Sequence, residues 1–182
     1  TLFEISVFMV SISSFGALAQ WPIGYISDKI DRRIILIAIT FIAAGLSIFI
    51  VISSYLSFIL FIILSGIFSA MSLPMFSVAV AHVNDFLESN EIISASSTFN
   101  ILIGIGSILG PILVSSSMTL VGPNGFFIYL FLVHGTLGLF GLYRMTRRVK
   151  PRDLESQYIP LPRNISAAGM EMNPVIESTE ED

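Results

Sequence analysis

The run Gly24-Tyr25-Ile26-Ser27-Asp28-Lys29-Ile30-Asp31-Arg32-Arg33 concentrates charge in a chain that carries very little of it. A glycine at position 24 lets one helix end approach a neighbour closely. Asp28 follows, with Lys29, Arg32 and Arg33 directly behind it. A carboxylate placed there can receive a helix N-terminus or an arginine from another helix, a contact able to hold a gate shut. The bland alternative is that these cations only orient the chain in a membrane. Other polar groups stand singly inside long apolar runs. Ser6, Ser13, Gln20 and Ser27 recur every seven residues, forming a slowly drifting helical stripe with Gly16 and Gly24 on the same side. Asn100 and His134 lie in later runs. Desolvation is expensive in such a setting, so each group is a functional candidate. For Ser13, Gln20 and Asn100 the plainer role is a hydrogen bond between helices, with small residues permitting close approach.

Much chemistry is excluded. The chain has no cysteine, which removes disulfides, thiol catalysis and cysteine-based metal sites. No metal site and no cofactor is expected. Gly106-x-x-x-Gly110 is a close-packing pattern of apolar helices, not a dinucleotide fingerprint, because no strand precedes it and a third glycine is misplaced.

The elements that hold these residues are long and apolar. Of the 182 residues 54% are hydrophobic and 12% charged, against about 25% charged in a soluble domain. Mean hydropathy is +0.85. Thirteen of the 22 charges fall in Arg144–Asp182, leaving nine for the first 143 residues. So sparse a supply cannot cover a globular surface, which argues against a soluble enzyme. A net charge of −4 without a basic face before residue 144 argues against nucleic-acid binding. Five stretches are long enough to cross a bilayer at ~1.5 Å per residue: 2–26, 34–53, 57–81, 92–118 and 126–143. The expected fold is an all-α, polytopic membrane helix bundle over 1–143. The tail 144–182, with Pro160, Pro162, Pro174 and an acidic end, is expected to be disordered. Pro74 and Pro111 each remove a helical hydrogen bond and should bend the third and fourth spans. Eight of the nine Lys/Arg fall on the connections of one side, which predicts the N-terminus outside and the tail in the cytoplasm.

The charged loop resembles the signature of the major facilitator superfamily of secondary transporters, Gly-x-Leu-Ala-Asp-Arg-x-Gly-Arg-Arg. Gly24, Asp28, Arg32 and Arg33 match it, while Ile26, Ser27 and Lys29 are near matches. Asp31 stands where the pattern has glycine, and aspartate tolerates left-handed turn geometry better than most residues. A Gly-rich stretch, Gly104 to Gly110, ending in Pro111 is similar to the fifth helix of a half-repeat. The resemblance implies that the five spans are helices eight to twelve of a twelve-helix transporter whose N-terminal helices are missing from this sequence. It implies transport of a small organic solute by alternating access, not an enzymatic activity. Gly24, Asp28, Lys29, Arg32 and Arg33 would form a gating loop, and Ser13, Gln20 and Asn100 would line the solute pathway. His134 falls on a peripheral helix of that pattern, which implies a scaffold contact. Glu4, at the outer edge, is the one carboxylate within a span, so any residue for a coupling proton would belong to the missing part. The expected setting is the bacterial inner membrane, with lipid, solute and the missing helices as partners. A second reading of different class is a non-transporting membrane scaffold or assembly subunit.

Overall fold

The computed structural model describes residues 1–87 and 91–147. All of its regular structure is helical: α1 (Leu2–Ser27), α2 (Arg32–Ser54), α3 (Phe58–Asn84), α4 (Ile92–Val121) and α5 (Gly125–Arg147). The shortest, α2 and α5, have 23 residues each, which at ~1.5 Å per residue exceeds a ~30 Å hydrocarbon core. Each helix is apolar enough to span. Phe3, Leu18, Trp21, Ile93 and Leu120 lie open on the surface, which suits lipid or protein neighbours but not water. Two units divide the chain, Thr1–Val149 and Lys150–Asp182. The second lies outside the described residues, as does the expectation of a disordered tail.

Packing follows the small residues. Helix α1 lies against α3, α3 against α2, α2 against α5, and α5 against α4. On the α1–α3 seam, Gly16 packs on Leu73 and Ser69, and a Cβ at Gly66 would stand 2.9 Å from Phe15 and Ser11. Two serines lock that seam: Ser11 Oγ donates to Ile62 O (3.3 Å) and Ser69 Oγ to Ile12 O (2.8 Å). The buried centre, built on Ile23, Ile39 and Val78, draws in Ala19, Ile35, Met71 and Met75. Along α2, Ala43, Ala44 and Ser47 are buried, which permits close approach of its neighbours. Helix α4 differs from the rest, since none of its residues is buried.

Helix ends are set by local chemistry. The Asp31 carboxylate caps α2 by accepting from Arg33 N at 3.0 Å. Its φ of −48° is not left-handed, so the expectation attached to this position is corrected: Asp31 serves here as a helix cap. The only positive φ among the described residues belongs to Gly122, at 80°, where the chain turns from α4 into α5. There Gly122 N donates to Met118 O at 2.9 Å. Pro74 is fully buried within α3 and Pro111 is exposed within α4; both helices continue through their prolines.

Candidate functional site: an ion-pair cluster at one end of the bundle

The C-termini of α1, α3 and α5 and the N-terminus of α2 place their charged residues at one end of the bundle. Helix α1 closes with Asp28 N and Ile30 N donating to Gly24 O (3.1 Å) and Ile26 O (3.0 Å). Ser27, buried there, donates from Oγ to Gly24 O at 2.9 Å. This turn brings Asp28 back beside the first residue of α2, Arg32, whose Nη2 sits 2.9 Å from Asp28 Oδ1. The same guanidinium reaches another element: Arg32 Nε lies 2.9 Å from Asp85 Oδ2, at the end of α3. One cation is therefore shared by two carboxylates 57 positions apart in the chain (85 − 28). The Arg32 side chain is 23% exposed, Asp85 43% and Asp28 64%.

The other cations of the α1–α2 connection are separately engaged. Asp31 grips Arg33 at 2.9 Å from Nη2 and 3.1 Å from Nε, a two-pronged contact that also caps α2. Lys29 Nζ stands 4.2 Å above the Tyr25 ring. Gly24 has open space where a Cβ would lie, so among the described residues it makes no close helix approach. An arginine shared by two carboxylates through charge-assisted hydrogen bonds ties the α1–α2 connection to the end of α3. Such a clamp is reversible, since its outer carboxylate remains in contact with solvent.

The intramembrane candidates are not drawn together by the described helices. Ser13 and Gln20 on α1 and Asn100 on α4 are exposed and have no hydrogen-bond partner among the described residues. Gly106 and Gly110 also border open space. His134 is the opposite case. Only 7% exposed, it shares a hydrogen bond with Ser72 (Nε2 to Oγ, 3.3 Å), joining α5 to α3, and a second with Leu130 O (Nδ1, 2.8 Å). Phe68 packs edge-on against its ring at 5.3 Å.

Asp85 was not among the residues singled out from sequence. Its signal was faint: a carboxylate four residues past the third span, on the side that carries the cations.

The sequence profile of the Major Facilitator Superfamily matches residues 1–169. The chain belongs to this superfamily. Proteins called "Uncharacterized MFS-type transporter YcaD" from Escherichia coli strains, among them K12/DH10B and O157:H7 (EC4115), are 27% identical over 127 residues. That alignment covers 70% of this chain and 32% of each relative, so the chain matches about a third of the length of the curated relatives. No solved structure matches. The superfamily is non-enzymatic, and the chain is a multi-pass membrane protein.

Proposed function

We propose that this chain is the C-terminal part of a twelve-helix major facilitator transporter, its helices eight to twelve, which moves a small organic solute by alternating access. The observation that carries the reading is Arg32, held between Asp28 and Asp85 at the end of the bundle where the cations collect. Asp28, the most exposed member, has the freedom to meet a further part of the protein in one access state and lose that contact in the other. The cationic end faces the cytoplasm, by the excess of Lys/Arg on that side. Ser13, Gln20 and Asn100 line the solute pathway on the open sides of α1 and α4, and any coupling proton is carried by residues outside this sequence.

Two features support the need for further helices. In a half built from inverted three-helix repeats, α2 and α5 pack as counterparts at the centre. Helix α3, lying against both α1 and α2, has no counterpart lying against both α4 and α5. A groove of about 610 Å³ opens between α1, α3 and α5, lined by Phe8, Ile12, Phe61, Phe127 and Leu130. Ser65, on its wall, is buried with its hydroxyl unpartnered. A helix preceding α1 fills that groove and satisfies Ser65.

The test compares residues 1–182 with the whole transporter, each reconstituted in liposomes. The whole protein should accumulate or release solute from a metabolite mixture. Residues 1–182 alone should do neither and should aggregate in detergent. A monodisperse preparation of 1–182 that transports solute would overturn the reading.

A further inference from the structure

At the cationic end, α2, α3 and α5 enclose a cleft of about 500 Å³. Its wall is apolar, with Leu36 and Ile37 from α2, Val83 and Phe86 from the end of α3, and Met145 from α5. Arg33, His82 and Arg144 line the same space. A tight seam sets its depth: a Cβ at Gly138 would stand 3.0 Å from the Phe41 ring, and one at Gly141 would stand 2.9 Å from Ile37 Cγ1.

The cations at this end are unequal. Arg32 is held by Asp28 and Asp85, Arg33 by Asp31, and Lys29 lies over Tyr25. Arg147 lies 5.7 Å from the Tyr143 ring and does not line the cleft. Arg144 lines it and, among the described residues, has no carboxylate partner. A guanidinium with no carboxylate partner among the described residues, set above an apolar wall, suits a ligand with an anionic oxygen cluster at one end and hydrocarbon at the other. A soluble anion would leave the wall bare, and a zwitterionic lipid would leave Arg144 without net charge compensation.

The geometry points to a binding site for one acidic phospholipid of the adjoining leaflet. Its phosphate meets the forked donors of Arg144, with Arg33 and His82 on the rim, and its acyl chain runs along Ile37 and Met145. Basic pockets between membrane helices hold acidic headgroups by this chemistry. The site requires only that the chain sits in a membrane. It is independent of the solute-transport reading, so either can fail alone.

The experiment is native mass spectrometry of the full-length protein released from micelles doped with phosphatidylglycerol or phosphatidylcholine. Phosphatidylglycerol should be retained in preference, and Arg144→Gln should lower its retention about fivefold to tenfold. Arg144→Lys should recover part of the loss. Met145→Trp, which narrows the cleft and leaves its charge alone, should also lower retention, while Arg147→Gln should not. Equal retention of the two lipids, or equal loss from Arg144→Gln and Arg147→Gln, would overturn the proposal. Displacement of the lipid by inorganic phosphate would make this a soluble-anion site. A preference that emerges only after removal of residues 151–182 would make the acidic tail the occupant. Either of these also defeats it.

Discussion

Substituting Asp28 by asparagine separates the two roles that its position allows. Within the described helices, Asp28 makes a single ion pair, with Arg32 at 2.9 Å, and 64% of its side chain is exposed. An exposed ion pair of this kind, bridging the turn between two helices, stabilises by about 0.2–1 kcal/mol, a factor of about five at most in an equilibrium. Arg32 also keeps Asp85 after the substitution, so the local cluster survives. If the local pair were the whole role of Asp28, Asp28→Asn would be nearly silent. A latch to the rest of the transporter predicts more, because a contact present in only one access state biases the equilibrium by its full strength. A charge-assisted hydrogen bond of about 1.5–3 kcal/mol corresponds to about a tenfold to hundredfold shift.

The assay needs no knowledge of the solute. The described chain has no native cysteine. In a cysteine-free full-length protein, a cysteine replacing Gln20 would report access from the cytoplasmic side by its labelling rate with a membrane-impermeant maleimide. Asp28→Asn should raise that rate about tenfold or more with membrane insertion unchanged. Asp31→Asn should do much less, since asparagine still caps α2 while the pairing with Arg33 is weakened. A change of twofold or less for both substitutions would reduce Asp28 to its surface pair with Arg32 and remove it from gating.

Two further outcomes follow from the same geometry. A reporter fused after Tyr143 should be cytoplasmic and one inserted at Asn124 external; the reverse pattern would defeat the orientation and the helix numbering with it. At the α4–α5 turn, Gly125 lies directly against the Ser117 carbonyl, where backbone cannot yield as a side chain can, and Ser117 Oγ donates back to Gly125 O at 2.8 Å. Gly125→Ala should therefore destabilise the full-length protein by about 1–3 kcal/mol, read as a lowered melting temperature in detergent. Gly104→Ala, which borders open space among the described residues, should be the milder of the two, and equal melting temperatures would refute the close approach.

The five helices were legible because a bilayer imposes one dominant requirement: about twenty apolar residues with every backbone group bonded internally. Long runs such as Ile34–Ser53 satisfy it whatever their neighbours are, so length and composition were enough. Which residues meet across helices is set by packing, and there sequence carried less. Asp28 and Arg32 could be placed close together from sequence, being four residues apart across the short α1–α2 connection. Asp85 could not, since its distance from Arg32 depends on how α3 returns beside α2. Asp31 shows a different failure. Its alignment with a glycine of the family loop suggested a left-handed turn, but a carboxylate just ahead of a helix has a better use, accepting the Arg33 amide and gripping its guanidinium. Gly24 and Gly106 mark the remaining gap. Small residues in a membrane helix announce a close neighbour without saying which, and here the described helices leave both glycines open. Their neighbours, on the reading proposed here, are further helices of the same transporter.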